Sequence, residues 1–525
     1  MLQQKRNFFL CKKNTAFNGE ATTKDTIFTF IQNIDNLHDM KTTLKSILFL
    51  FLFAFSLQSC EDQDDVAAPA DLQINNFIWR GLNEVYLWQQ DVLNLADGRN
   101  LQPDFNQFLR GYSHPEDLFE DLLNKPESKY PNGDAIDRFS WIVEDYTVLE
   151  QELSGVTKNN GVDFRLSRVA AGSNDVVGFV RYIIPNSDAS TKAIKRGDLF
   201  TSVNGVKLTV SNYQELLFGK DSYTLNLADY NGSSYVLNGK SVDLTKTVLE
   251  ENPIFISKVI SSGSHKIGYL MYNGFYSSYD EKLNQAFGDF KSQGVTDLVL
   301  DLRYNGGGAV PSAIRLSSMI TGQFDTQVFA KTQFNTKMMK EMTAKDLEDL
   351  NYRFVNNIDG KALNSLNLST VYIIATASTA SASELVINGL KPYINVVQIG
   401  ETTTGKNVGS YTIYDSEILF TKKGINPNHK YAMQPLVFKI SNSAGFGDYT
   451  QGLQPTYQQR EYIDTYGVLG ETSEPLLNLA ISKITGSTAK RIVNDSEPEH
   501  PYLTDSKILN GLRHGMYFPN APKNF

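Results

Sequence analysis

Ser381 and Lys406 lie in two short segments, Thr379-Ala-Ser-Ala-Ser-Glu384 and Gly400-Glu-Thr-Thr-Thr-Gly-Lys406. A serine hydroxyl is a poor nucleophile near neutral pH and needs a base within hydrogen-bond reach. All the histidines (His38, His114, His265, His429, His500 and His514) lie outside these small-residue segments. A lysine can serve instead, because burial disfavours its ammonium form. The pair therefore points to Ser-Lys rather than Ser-His-Asp hydrolysis. A third segment, Asp301-Leu-Arg-Tyr-Asn-Gly-Gly-Gly308, offers backbone amides that can approach a ligand closely and converge on an anion. Taken singly, each segment has a plainer reading. The glycines could cradle a phosphate, bind an oxyanion or simply turn the chain, though they lack the Gly-Lys-Ser/Thr ending of a P-loop. Ser381 or Ser383 could be a helix N-cap ahead of Glu384, and a loop lysine is most often a solvated charge.

The surrounding pattern says what must position these residues. From about residue 255 to 486, apolar strand candidates alternate with helices. Asp297–Asp301, Val371–Ala375 and Val396–Gly400 read as buried strands. Asp280–Gln293, Ser312–Ile320 and a segment starting near Ser383 read as helices. This βαβ alternation predicts an α/β domain over 253–486. Each chemical segment then follows a strand end, where α/β enzymes build their sites. Ahead of it, 71–152 reads as helical: Ile74, Phe77, Ile78, Leu82, Val85 and Leu87 approximate a 3.6-residue period. Trp79 and Trp88 are expected in that core. Residues 153–252 are short strands and turns, including Gly161–Leu166 and Val176–Ile184.

In this middle stretch a short helix precedes Arg196-Gly-Asp198, and the next strand ends in Val203-Asn-Gly205. That order resembles a PDZ domain of the bacterial protease type. The resemblance implies that a peptide adds as a strand beside Gly161–Leu166, with Gly161, Val162, Asp163 and Phe164 forming the peptide-binding loop. The three chemical segments, in their order, resemble the C-terminal processing peptidases, or tail-specific proteases, whose serine-to-lysine separation is reproduced. Gly452-Leu-Gln-Pro455 resembles a further segment of that family. The resemblance implies a crotonase/ClpP-like β-α superhelix as the catalytic domain, polypeptide substrates, and no metal or organic cofactor. It also implies Ser381 as nucleophile, neutral Lys406 as base, and the Gly307 and Ala382 amides as the oxyanion hole. Many members orient the lysine with a glutamine, and Ser410 stands in its place here. Two other readings remain open: a non-catalytic peptide-binding lipoprotein on the same scaffold, and an acyl-CoA enzyme of the crotonase type.

The 525 residues carry a formal charge of −9, which argues against a nucleic-acid-binding surface. Cys11 and Cys60 are too few for a disulfide framework. Met40-Lys-Thr-Thr-Leu-Lys45 and the apolar run Ile47–Phe55 have a signal-peptide layout, and the run is shorter than the ~20 residues of a transmembrane helix. The ending Leu57-Gln-Ser-Cys60 resembles a bacterial lipobox. It implies a lipid anchor at Cys60, a signal over 40–59 and an acidic tether over 60–70. Residues 1–39 are then upstream of a true start at Met40. Glu61-Asp-Gln-Asp-Asp65 resembles the acidic signal of surface lipoproteins. The expected location is the bacterial envelope, as an outer-membrane lipoprotein facing the periplasm or cell surface. The polar, turn-rich 487–525 is expected to be a peripheral C-terminal extension.

Overall fold

The computed structural model describes residues 69–488 and 500–522, apart from 132, 512 and 513. The expected signal segment and Cys60 lie outside the described residues. Ile74–Asn524 make one compact unit.

Helix Gln73–Val85 buries Phe77, Ile78, Leu82 and Val85 along one stripe, as the periodicity requires. Two of its asparagines are buried as well, because each satisfies a loop carbonyl. Asn75 Nδ2 donates to Leu109 O at 2.9 Å and Asn83 Nδ2 to Leu95 O at 2.7 Å. Trp79 is core and meets Phe105 edge-on at 4.9 Å, whereas Trp88 is only half-buried.

The β-rich region is an antiparallel sheet in the order Tyr502–Asp505, Val162–Arg168, Val176–Ile183, Leu199–Val203, Ser222–Tyr230, Tyr235–Thr245. Phe164, Phe200, Val203, Leu217 and Leu225 form its core. Its first strand comes from the far end of the chain.

The α/β region holds two six-stranded sheets. In one, His265–Tyr272, Asp297–Asp301, Thr370–Ala375 and Asn395–Gly400 run parallel as neighbours. Asp301 pairs with Ile374, and Ala375 pairs with Gly400. The loops that follow these strands therefore start side by side, and these are the three chemical segments. Helix Ala382–Leu390 is buried at every position, the expected environment for a helix without a polar face. The second sheet runs Gly307–Ala309, Gly515–Tyr517, Val408–Ser410, Leu436–Asn442, Val328–Phe334, Asn351–Arg353.

The C-terminal extension is not peripheral. One part of it forms the edge of the β-rich sheet, and another is an inner strand of the second sheet of the α/β region. Its polar composition hid this. The pairing is made by the backbone, while a few apolar side chains such as Met516 and Phe518 supply the burial.

Candidate active site

The Asp301-Leu-Arg303 segment is an anchor for the loop. Arg303 is fully buried, and its guanidinium binds Asp301 (Nη2–Oδ2, 2.7 Å), Glu474 (Nη1–Oε1, 2.8 Å) and Glu461 (Nη1–Oε1, 2.8 Å). Burial would raise the Glu461 carboxyl, but Arg196 and Arg303 hold it at about 2. The anchored loop then holds the next one. Thr379 Oγ1 donates to Leu302 O at 2.8 Å, and Ala380 N to Asn305 O at 3.1 Å.

Gly307 and Gly308 have φ of 105° and 141°, in the range that favours glycine. A Cβ on Gly307 would meet Ser381 Cβ at 2.8 Å and the Ala382 amide nitrogen at 2.9 Å. The structure thus brings Gly307, Ser381 and Ala382 together. The expected oxyanion donor Gly307 is nevertheless committed, since its amide donates to Asn305 Oδ1 at 2.8 Å. Ala382 is the first residue of its helix, where amides have no intrahelical acceptor.

Ser381 occupies the N-cap position with φ 65° and ψ −115°, a strained backbone for a serine. Its Oγ is buried and has no hydrogen-bond partner among the described residues. Ser381 is thus the helix N-cap by position, with Glu384 in the first turn, as the plainer reading expected. Ser383 Oγ donates to Asn305 O at 3.0 Å.

Glu384 stands at the centre. Its Oε2 accepts from the amides of Ser381 (2.7 Å) and Lys406 (2.8 Å). Its Oε1 accepts from the Gly405 amide (2.7 Å) and Thr403 Oγ1 (2.5 Å). Burial pushes this carboxyl up, against the pull of those donors.

Lys406 is fully buried, not a solvated surface charge. Nζ donates to His514 O at 2.5 Å and lies 4.8 Å from the centre of the Phe139 ring. Burial lowers its ammonium to about 7, although Asp137 and Glu384 pull the other way. Ser410 does not orient it. Ser410 lies in strand Val408–Ser410, paired with Leu436 and Tyr517, and Lys406 Nζ takes the main-chain carbonyl of His514 instead. The expected lysine orienter is thus corrected to a carbonyl from the C-terminal segment.

Gly161, Val162, Asp163 and Phe164 do lie at the start of an edge-facing strand. They are not free to receive a peptide, because the Phe164 amide donates to Ser506 Oγ at 3.0 Å and Asp163 pairs with Arg181. Sequence reasoning missed Phe139, Asp137 and His514, which reach the site only through tertiary folding. It quoted Glu384 but read it as a first-turn residue.

Residues 266–424 match the model "Peptidase family S41", which takes in all three chemical segments, and residues 73–141 match "Peptidase S41 N-terminal domain". The chain is 24% identical over 260 residues to the chloroplastic C-terminal processing peptidase of Tetradesmus obliquus, covering 47% of this chain and 51% of that one. It is 22% identical over 270 residues to a carboxyl-terminal-processing protease of Picosynechococcus, covering 50% and 58%. The chain spans about half the length of the curated relatives it matches. A crystal structure of a putative S41 protease from Bacteroides fragilis superposes with a TM-score of 0.59 at 28% identity, covering 79% of this chain and 98% of that one. Residues 73–141 and 266–424 thus match peptidase S41 models, and the chain is similar to proteins named C-terminal processing peptidases.

Proposed function

We propose that this chain is a serine endopeptidase that cleaves polypeptides with a Ser381–Lys406 dyad. The observation that carries this reading is a buried lysine with its ammonium lowered to about 7, fixed through one carboxylate to the backbone of a strained, unpartnered serine. Neutral Lys406 takes the Ser381 hydroxyl proton as Oγ attacks the scissile carbonyl. The lysinium then returns that proton to the leaving amine, and water hydrolyses the ester. The Ala382 amide meets the developing oxyanion, a donor of a kind worth on the order of 10²–10³ in rate. Gly307 joins it once Asn305 Oδ1 releases its amide.

The β-rich region is read as a PDZ-like module that takes an extended peptide beside strand Val162–Arg168 in place of Tyr502–Asp505. The Leu57-Gln-Ser-Cys60 segment supports a lipid anchor, and with it a place in the bacterial envelope. The test of the dyad incubates the purified chain with unfolded β-casein beside Ser381→Ala and Lys406→Ala. Wild type is expected to cleave and both variants to fail. Equal cleavage by all three sinks the dyad.

A further inference from the structure

The C-terminal segment lies in two places at once, beside strand Val162–Arg168 and beside Gly307–Ala309. Tyr502–Asp505 lies antiparallel on the Val162–Arg168 edge, with Thr504 opposite Leu166 and Asp505 opposite Arg165. Asp505 Oδ2 accepts from Arg181 Nη1 at 3.3 Å. Arg181 is itself buried and held by Asp163 through Nε–Oδ1 at 2.5 Å. Further on, Gly515–Tyr517 enters parallel to Gly307–Ala309. There the Gly515 carbonyl oxygen lies 2.2 Å from the point where a Gly307 Cβ would stand, a point 2.8 Å from Ser381 Cβ and 2.9 Å from the Ala382 amide.

A backbone carbonyl of the segment therefore takes up volume beside Gly307, the glycine that Ser381 and the Ala382 amide also approach. The preceding carbonyl, that of His514, holds Lys406 Nζ at 2.5 Å, while Ser381 Oγ has no partner among the described residues. A substrate carbonyl needs that same volume, and two chains cannot share it. On the other side Tyr517 pairs with Ser410, and the Phe518 amide donates to Ser410 O at 3.4 Å. Phe518 stacks on Tyr352 at 4.6 Å and on Tyr411 at 5.3 Å, which anchors the end of the segment.

We propose that Tyr502–Asp505 and residues 514–518 act as an intramolecular pseudo-substrate: they fill the strand-addition edge and the lane past Ser381, and keep Lys406 off the nucleophile until a polypeptide displaces them. The inference rests on the peptidase reading of the site. It also gives the substrate a chemistry, an extended strand carrying a carboxylate where Asp505 meets Arg181.

The test uses the full chain and its Asp505→Asn and Asp505→Ala variants, which loosen the segment without touching the dyad. Labelling of Ser381 by a fluorophosphonate probe is expected to quicken by about tenfold or more in the variants, because reactivity scales with the open fraction. Unchanged or slower labelling would mean that the segment merely completes the site, and overturns the proposal. A second readout does not depend on chemistry. Hydrogen exchange at residues 502–505 and 515–517 of the full-length Ser381→Ala chain is followed as a synthetic peptide of residues 500–518 is added in excess. Faster exchange supports displacement. Exchange unchanged, and as slow as in strand Asp297–Asp301, rejects it. If the probe labels none of the chains but the peptide still speeds exchange, the dyad reading has failed and the pseudo-substrate lane stands.

Discussion

One oxygen of Glu384 accepts hydrogen bonds from the backbone amides of both Ser381, at 2.7 Å, and Lys406, at 2.8 Å. Ser381 and Lys406 are therefore fixed to each other through the main chain, not through their side chains. This leaves the side chains free to change partners, as the His514 carbonyl on Lys406 Nζ shows. The carboxylate serves four donors in all. A glutamine offers only one acceptor oxygen and turns an NH₂ toward buried N–H groups. Glu384→Gln should thus cost about 2–4 kcal/mol of stability. It should also lower kcat with little change in KM, since it displaces the reacting groups and not the peptide edge. Chemical denaturation and steady-state kinetics on one peptide check both. A variant with unaltered kcat would show that the shared oxygen does not position the dyad.

The lowered lysine sets the direction of the pH dependence. A general base works when neutral, so activity should fall as pH drops below about 7, tenfold per pH unit, and level off above it. Lys406→Arg keeps the charge at every pH and should lose about 10²–10⁴ in kcat. A kcat/KM profile from pH 5 to 9 reads the limb. A limb set by an ordinary lysine, above pH 10, would mean that burial does not tune this group.

Among the described residues Arg303 is the cation that bonds both Asp301 and Glu474, so removing it strands buried carboxylates. Breaking such a cluster from one side typically costs about 3–5 kcal/mol. Arg303→Met should lose at least that much in urea unfolding. Arg303→Lys should fare little better, because a point charge cannot match the guanidinium fork. Both should also lower activity, since Thr376 Oγ1 bonds the Arg303 carbonyl and carries the distortion to the Ser381 loop.

Much of this site was legible because its parts are local. Strands Asp297–Asp301 and Asn395–Gly400 announce themselves by apolar runs, and the small residues of 379–384 follow a strand end. Ser381 and Lys406 were singled out by chemical type, and both are buried and joined through Glu384. What could not be read was decided by side chains that meet across long stretches of sequence. Ser410 was assigned to the lysine by position, yet its strand register holds it against Leu436 and Tyr517. Gly307 was correctly placed beside Ser381, but its amide's partner, Asn305 Oδ1, depends on one side-chain rotamer. The tail failed for a different reason: a strand of three residues, Gly515–Tyr517, has no period to detect.

His514 should make the segment sensitive to acid. Burial lowers its imidazole from 6.5 to about 4; Asp505 opposes this, while Lys406, Arg138 and Arg181 add to it. Its Nδ1 has no hydrogen-bond partner among the described residues. The unfolded chain therefore takes up this proton near 6.5, and the folded chain does not until about 4. Between those values the unfolded state binds more protons, so stability must fall as pH falls. The difference amounts to about 3 kcal/mol once pH is below about 4. Other groups titrate in the same window, so the measurement is a difference. Urea unfolding of wild type and His514→Gln is followed from pH 7 to 4. The gap between them should shift in favour of the variant by up to that amount, most of it between pH 6 and 4.5. A gap that stays constant across the window would mean that His514 takes its proton while folded, and that acid does not loosen the strand past Ser381.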